Sequence, residues 1–241
     1  MIRQVYMYNK SVKSSTKQVL IIGGTSSLAG KLSEFAKEEL YEITATFRGN
    51  ISKDRDHRIK WVNLELSQKE SVEEFFDELS DIKYDRVLFL VGAVTNKYFL
   101  DMSYSEMLHY YSTYVVNSLY LLQKCSTLLK RTSNIIVMSS RAGSNASYDV
   151  HYSVVKSALE AYVRSSAKSL GKNQSVVAIS SGLIEGSKMY LDMKPEHRNS
   201  HKIRAGGSLV TIDELCSQIW SLKTDKTIKN NGKTIYIGPI Y

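Results

Sequence analysis

Residues 17–30 read KQVLIIGGTSSLAG, a short apolar run that turns directly into glycine and small polar residues. The apolar run predicts a buried strand, and residues 31–40 (KLSEFAKEEL) have the periodicity of an amphipathic helix. A strand, a glycine-rich turn and a helix in this order direct backbone N–H groups and a helix N-terminus towards a phosphate. An ordinary connection between a strand and a helix gives the same pattern, so both interpretations stay open for this segment alone.

Apolar runs alternate with helical stretches along the rest of the chain. The predicted strands are 17–23, 42–47, 59–63, 86–91, 134–138, 175–179 and 233–237, and the predicted helices cover 31–40, 68–79, 103–129, 152–170 and 212–222. Such alternation predicts an α/β fold, a Rossmann-like, doubly wound parallel sheet of about seven strands with helices on both faces. Ligands of such sheets bind at the carboxyl ends of the strands.

The length and composition fit one domain with a large core, because the chain has 241 residues of which 43% are hydrophobic. Residues 1–16 are polar and rich in lysine and serine, so we predict an N-terminal extension followed by a single domain, residues 17–241. Within this domain, the polar stretch at 188–207 predicts a lid over the substrate.

Charge and cysteine content exclude several classes of protein. The net charge of +8 comes from basic residues mixed with acidic ones along the chain, which argues against a nucleic-acid interface. No stretch approaches the roughly 18 apolar residues of a membrane span, and the N-terminus lacks the apolar core of a signal peptide. Cys125 and Cys216 have no metal-ligand spacing. We therefore expect a cytoplasmic protein that binds no metal, no nucleic acid and no membrane.

A second informative stretch, residues 139–156, reads SSRAGSNASYDVHYSVVK. Tyr152 and Lys156 are four positions apart, which places both on one face of a helix. A positive charge lowers the pKa of a nearby phenol, so this spacing predicts a tyrosine that transfers protons near neutral pH. A serine from the preceding strand would hold the substrate oxygen. With 16 tyrosines in the chain, an ordinary surface Tyr–Lys pair is the alternative.

Features at predicted strand ends fall on one edge of the sheet: the glycine turn, Arg48, Gly92, Ser140 and Gly182. Arg48 follows the second strand, where a dinucleotide fold meets the adenosine ribose. An acidic residue there binds a free 2′-hydroxyl, whereas an arginine suits a 2′-phosphate. Arg48 therefore predicts NADP(H) in preference to NAD(H), with a solvated loop arginine as the alternative.

The ordered set of glycine turn, asparagine, serine, YxxxK and terminal strand resembles the short-chain dehydrogenase/reductase family, from about residue 17 to the C-terminus. The resemblance implies that Tyr152 is the catalytic acid/base and that Lys156 holds the nicotinamide ribose and lowers the Tyr152 pKa. It also implies that Ser140 binds the substrate carbonyl and that Asn117 supports a water-linked proton relay to Lys156. With Tyr152 and Lys156, the implied cofactor-binding residues are Gly24, Thr25, Ser26, Ser27, Leu28, Gly30, Arg48, Glu65, Gly92, Ala93, Gly182 and Ile184.

The serine assignment has two solutions. The usual spacing of 13 residues to the tyrosine selects Ser139, whereas the SSxxG pattern, anchored by Gly143, selects Ser140. We favour Ser140. Because successive strand residues face opposite ways, only one of the two is expected to reach the site.

The chain departs from the family pattern in the cofactor region. Leu28 replaces the middle glycine of the turn, and residues 90–93 read LVGA where the family has NNAG. Ser181 precedes Gly182 where the family usually has proline. The resemblance implies an NADP(H)-dependent oxidoreductase that interconverts a carbonyl and an alcohol. These departures motivate the alternative of a catalytically weak dinucleotide-binding sensor or partner subunit.

Other polar and aromatic residues leave alternatives open. The basic residues of the stretch 188–207 are either solvated lid charges or contacts to an anionic small-molecule substrate: Lys188, Lys194, His197, Arg198, His201, Lys202 and Arg204. Asn117 lies in an apolar stripe as either a functional or a satisfied core group. His151, beside Tyr152, is expected to point to solvent, with contact to the substrate as the alternative. The resemblance implies a homodimer or homotetramer, and the tyrosines within 110–114 fit either that interface or a partly buried core.

Overall fold

The computed structural model describes residues 16–50, 55–95, 97–145 and 147–238. Its main sheet consists of β1 (Lys17–Ile22), β2 (Tyr41–Phe47), β3 (Ile59–Asn63), β4 (Tyr84–Phe89), β5 (Leu129–Met138), β6 (Gln174–Ser181) and β9 (Thr234–Ile237). The strands are parallel and lie in the order β3-β2-β1-β4-β5-β6-β9. Two short strands, β7 (Ile184–Glu185) and β8 (Val210–Thr211), form a separate pair. The predicted parallel Rossmann-like sheet is confirmed.

Helices cover both faces of this sheet. They are α1 (Ser27–Glu38), α2 (Lys69–Leu79), α3 (Tyr104–Tyr111), α4 (Ser118–Thr127), α5 (Val150–Ser166), α6 (Lys188–Asp192), α7 (Pro195–Arg204), α8 (Ile212–Ser221) and α9 (Thr224–Lys229). Strand β1 shows why two layers form, since its side chains alternate between the faces. Val19 and Ile21 pack with residues of α1 and α8, whereas Leu20 and Ile22 pack with residues of α2, α4 and α5.

The segment between β6 and α8 has a small core of its own. Leu183, Ala205 and Leu209 form a buried cluster separate from the two layers beside the sheet. Residues 188–207, predicted as a lid, are largely helical, because α6 and α7 occupy most of the stretch. The division into an extension, one domain and a lid stays a prediction, and residues 1–15 of the extension lie outside the described ranges.

The predicted helix at 103–129 differs most from the structure. A π-helical segment, Ser112–Asn117, joins α3 to α4, and β5 already begins at Leu129. A π-helical turn contains more residues than an α-helical one, so it shifts which side chains face the sheet. In the described part of the chain, every helix is too short or too polar to cross a membrane.

Candidate active site

The carboxyl ends of the central strands open into a cleft of about 1200 Å³. The predicted site residues that line it are Thr25, Ser26, Ser27, Leu28, Arg48, Glu65, Gly92, Ala93, Ser140, Tyr152, Lys156, Gly182 and Ile184. Gly24, Gly30 and Asn117 were predicted for the site but do not line the cleft. The structure therefore brings most of the predicted positions together at one edge of the sheet.

The glycine-rich turn packs against β2 and leaves the N-terminus of α1 at the cleft. Gly23 has a φ of +88°, which favours glycine, and its N–H donates to Thr46 Oγ1 at 2.9 Å. A Cβ on Gly24 would lie 2.7 Å from the Thr46 backbone oxygen. Ser26 caps α1 by accepting from the Ala29 N–H, and the first turn of the helix has no acidic side chain. This helix end is therefore electropositive and suited to an anionic group.

Gly30 and Leu28 contribute differently to this turn. A Cβ on Gly30 would meet nothing within 4 Å, so the structure does not require glycine there. Leu28 belongs to the buried cluster between β1 and α8, and it also lines the cleft. The residue that replaces the expected middle glycine is thus part of the core.

Arg48 follows β2 and has an exposed, weakly paired guanidinium. Its side chain is 71% exposed, and its Nε lies 4.0 Å from Glu65 Oε2. Glu65 Oε1 accepts from the backbone N–H and the hydroxyl of Ser67, at 3.2 and 2.8 Å. Because an exposed ion pair at this distance contributes little free energy, Arg48 can bind an anion in the cleft at small cost.

The two serines at the end of β5 face opposite sides. Ser139 is buried, and its hydroxyl donates to Glu160 Oε1 at 2.6 Å. Both serines line the cleft, but only the Ser140 side chain acts on Tyr152, whose pKa it lowers. Of the two serines considered from the sequence, Ser140 is therefore the one beside Tyr152.

Lys156 is buried beneath the loop that follows β4. Its Nζ donates to the backbone oxygens of Met138, at 2.8 Å, and Val91, at 3.2 Å. The same Nζ lies 5.6 Å from the centre of the Tyr152 ring. A Cβ on Gly92 would be 2.7 Å from Nζ, so the close approach of the lysine depends on this glycine. The sequence separation of four thus does place both side chains on one face of α5.

The pKa of Tyr152 differs from the sequence-based expectation. Burial raises the pKa of Tyr152 to about 12, and the hydrogen bond with Ser140 opposes that rise only in part. Burial also lowers the pKa of Lys156 to about 8, against the effect of the Glu160 charge. The prediction of a lowered Tyr152 pKa is therefore wrong in direction, because desolvation of the phenolate by burial is the largest effect on this pKa. At neutral pH the phenol is protonated.

Comparisons with known proteins agree with this geometry. A family model described as Enoyl-(Acyl carrier protein) reductase matches residues 37–238, a range that begins after the glycine turn. The chain belongs to the short-chain dehydrogenase/reductase family. The predicted resemblance is confirmed, and membership of this family supports oxidoreduction of carbonyl and alcohol groups with NAD(P)(H).

Solved structures of short-chain dehydrogenases/reductases have the same fold. One is a family protein from Francisella tularensis subsp. tularensis SCHU S4, with 16% identity and a TM-score of 0.81 over 92% of this chain and 97% of that one. Another, described as SDR:Glucose/ribitol dehydrogenase from Brucella melitensis, has 18% identity and a TM-score of 0.77 over 92% and 94%. A mutant enzyme from Serratia marcescens has 15% identity and a TM-score of 0.77 over 92% and 96%. No curated protein sequence matches the chain.

Asn117 lies outside the cleft of this short-chain dehydrogenase/reductase. Its Nδ2 donates to the backbone oxygen of Leu66 at 2.7 Å, which ties the π-helical segment to the loop after β3. The residues that this segment contributes to the cleft are Thr113 and Tyr114. The predicted role of Asn117 in a water-linked relay to Lys156 stays a prediction.

His151 was expected to point to solvent, and this prediction is also wrong. Its ring is buried, and Nδ1 lies 2.8 Å from the hydroxyl of Tyr111. The segment around α3 covers the start of α5, which no local sequence pattern indicates. Tyr110 is buried and Tyr114 half-buried, in agreement with the core interpretation of these tyrosines.

Part of the basic segment reaches the cleft. Lys188, His201 and Arg204 line it, although Lys188 Nζ also pairs with Asp192 at 2.6 Å. Arg198 instead donates to the backbone oxygen of Met193 at 2.7 Å. The segment therefore contributes positive charge to the cleft in the region that follows β7.

Sequence reasoning missed Asp149, which lines the cleft and is fully buried. Its carboxylate caps α5 by accepting from the Tyr152 N–H at 2.9 Å. A signal was present, because aspartate is a preferred residue immediately before a helix and Asp149 precedes the YxxxK helix.

Proposed function

We propose that this protein is an NADP(H)-dependent oxidoreductase that interconverts a small-molecule carbonyl and an alcohol, with Tyr152 as the acid/base. One observation carries the proposal: Ser140, Tyr152 and Lys156 line the same cleft, with the buried Lys156 Nζ 5.6 Å from the centre of the Tyr152 ring. Two hydroxyls on one cleft wall can both engage one substrate oxygen, as a proton donor and as an orienting donor.

The residues of the cleft fit a dinucleotide. The N-terminus of α1 offers unpaired N–H groups to a diphosphate, and the close contact of Gly24 with β2 keeps that turn compact. Arg48 would bind the 2′-phosphate, and Lys156 would bind the nicotinamide ribose. Gly92, Ala93, Gly182 and Ile184 would line the nicotinamide side, where side chains are small or apolar.

The cofactor supplies the hydride when it is bound. The chain's own part is to hold the carbonyl oxygen at Ser140 and to donate a proton to it from the Tyr152 hydroxyl. A phenol with a pKa of about 12 is fully protonated at neutral pH, which suits it to donation. The positively charged Lys156 stabilises the phenolate that donation leaves behind.

The cofactor part of the proposal is tested by calorimetric titration with NADPH and, separately, NADH. We expect NADPH to bind more tightly, and Arg48→Asp to weaken NADPH at least about tenfold while NADH changes little, because one charge-assisted hydrogen bond is lost. Arg131→Asp is the matched control, since Arg131 is exposed near the amino end of β5, opposite the cleft. An NADPH/NADH ratio that Arg48→Asp leaves unchanged would refute the cofactor preference.

The catalytic part is tested with Tyr152→Phe on a panel of carbonyl compounds. We expect turnover to fall by about 10²–10⁴, the usual contribution of a positioned proton donor, while NADPH binding is retained. Near wild-type turnover in this variant would contradict the role of Tyr152.

The alternative is a catalytically weak dinucleotide-binding sensor or partner subunit. Two observations favour it: Leu28 fills the middle of the glycine turn, and the Asn117 amide bonds to the Leu66 backbone oxygen, although Asn117 itself does not line the cleft. NADPH binding without turnover on any carbonyl compound would support the sensor.

Two further properties belong to the proposal. An anionic substrate is supported by Lys188, His201 and Arg204 in the cleft, and carboxylated members of the carbonyl panel should show the lower KM.

A homodimer or homotetramer is supported by the exposed apolar side chains of Val116 and Val154 around α4 and α5. Light scattering of the purified protein would measure this, and a monomer would contradict it.

A further inference from the structure

The loop that follows β4 lines the cleft and is held by side chains from other elements. Its segment 91–94 lines the cleft without the asparagine side chains of the family motif. Lys156 Nζ donates to the Val91 oxygen at 3.2 Å, and the Tyr110 hydroxyl donates to the Ala93 oxygen at 2.6 Å.

Asp149 provides the next contact along this loop. Its Oδ2 accepts from the Thr95 N–H at 2.6 Å, while Oδ1 accepts from the Tyr152 N–H at 2.9 Å. The side chain is fully buried. One carboxylate therefore bonds simultaneously to the cofactor-lining loop and to the backbone of the tyrosine itself.

The surroundings explain why a buried charge is tolerated at this position. Asp149 lies at the N-terminus of α5, a helix of 17 residues, where the helix dipole favours a negative charge. Short hydrogen bonds from backbone N–H groups to a carboxylate are charge-assisted and stronger than neutral ones. Because the two N–H groups belong to different elements, a shift of Thr95 is transmitted to Tyr152 through a single side chain.

We propose that Asp149 is a positioning residue that links the cofactor-lining loop to Tyr152, so that the loop and the proton donor keep their relative position. This inference rests on the proposed function, in which the loop meets the cofactor and Tyr152 meets the substrate. It also extends that function, because Asp149 lies outside the Ser, Tyr and Lys set.

Asp149 also acts on the proton donor through its charge. The groups that face Tyr152 from the surrounding elements are Ser140, Tyr148, Lys156, Asp149 and Tyr110. The negative charge of Asp149 raises the pKa of Tyr152. Removal of that charge lowers the pKa of the phenol, so Asp149 affects the proton donor through its charge as well as through its position.

The test uses Asp149→Ser, with Tyr110→Phe as the matched control. A serine hydroxyl can still cap α5, but it is too short to bond to Thr95 as well. Tyr110→Phe removes the contact at Ala93 and leaves the cap intact. Hydrogen exchange of individual amides, measured by NMR, should show at least about tenfold faster exchange of the Thr95 amide in Asp149→Ser. In Tyr110→Phe the Thr95 amide should keep its wild-type protection.

Ligand binding and activity then separate a positioning role from a merely structural one. In Asp149→Ser we expect NADPH to bind at least about tenfold more weakly, and kcat to fall with little change in the KM of the carbonyl compound, because the proton donor loses its position. Tyr110→Phe should lower kcat less than Asp149→Ser does. If Thr95 exchange rises but NADPH affinity and kcat both stay at wild-type values, the contact is structural only and the proposal is wrong.

A second variant covers the case in which Asp149→Ser does not fold. Asp149→Asn keeps the size of the side chain, but its single oxygen can accept from only one side and it has no charge. The same changes are expected, and wild-type behaviour of this variant would overturn the proposal. Absence of NADPH binding by the wild-type protein would instead refute the proposed function, while the exchange of Thr95 would still report on the Asp149 contact.

Discussion

Replacement of Gly24 by alanine would place a methyl group 2.7 Å from the Thr46 backbone oxygen and 2.8 Å from the Ala45 Cβ. Both atoms belong to β2, which is paired with β1 on one side and β3 on the other. Because the strand cannot move without breaking this pairing, the turn must shift instead. Overpacking of this kind costs about 1–3 kcal/mol, which corresponds to a fall in Tm of roughly 2–12 °C for a chain of this size.

Gly30→Ala is the matched control, because the same methyl group would meet nothing within 4 Å. Gly30 lies within α1, where alanine is about 0.5–1 kcal/mol more favourable than glycine. We therefore expect its Tm to rise by roughly 1–4 °C.

Thermal unfolding of the two variants measures the packing, and calorimetry with NADPH measures the site. Gly24→Ala should weaken NADPH binding, because displacement of the turn from β2 also displaces the N-terminus of α1. Gly30→Ala should leave NADPH binding unchanged, although the family resemblance places Gly30 in the cofactor turn. Equal effects of the two substitutions on Tm and on NADPH would refute the reasoning from the contact distances.

Three more variants test contacts in and around the cleft. Ser139→Ala should lower the free energy of unfolding by about 1–3 kcal/mol, because Glu160 loses its buried partner, but it should retain turnover. Ser140→Ala should lose turnover. Chemical denaturation measures the stability of both variants, and steady-state kinetics measures their turnover. Asn117→Ala should lower the free energy of unfolding by about 1 kcal/mol in chemical denaturation and leave kcat unchanged; a large fall in kcat would instead support its predicted role in the relay. The pKa of Lys156 is about 8 in the folded state against an ordinary 10.5. Between these two pH values the unfolded state therefore binds more protons than the folded state. The free energy of unfolding of the wild type, relative to Lys156→Met, should rise with pH across this window. A flat pH dependence would contradict the burial of this ammonium.

The strands were predictable because central parallel strands are apolar on both faces. A continuous apolar run such as residues 86–91 therefore predicts a buried strand without alternation of polar and apolar residues. Once the strands are assigned, the topology places Arg48 and Ser140 at the same edge of the sheet. For this reason, most of the predicted site residues do lie at the predicted edge of the sheet.

The residues that were misplaced depend on features that a local pattern does not contain. The orientation of Asn117 follows from the π-helical segment Ser112–Asn117, whereas the periodicity of the sequence assumes an ordinary helix. The burial of His151 depends on Tyr111, forty positions earlier in the chain. The pKa of Tyr152 depends on how completely the fold removes it from water, and spacing alone gives only the sign of the Lys156 effect.

The small buried cluster of Leu183, Ala205 and Leu209 has a consequence for how this enzyme scaffold can change over time. These three side chains pack with Met189, Tyr190 and Met193 in a cluster separate from the two large ones beside the sheet, so substitutions at these positions should leave the large clusters nearly undisturbed. The other wall of the cleft, from the glycine turn to α5, is built from the main core itself. We therefore expect new substrate preferences to arise by mutation or exchange of the 183–209 segment. Mutations in the wall proposed to bind the dinucleotide would also affect the stability of the fold.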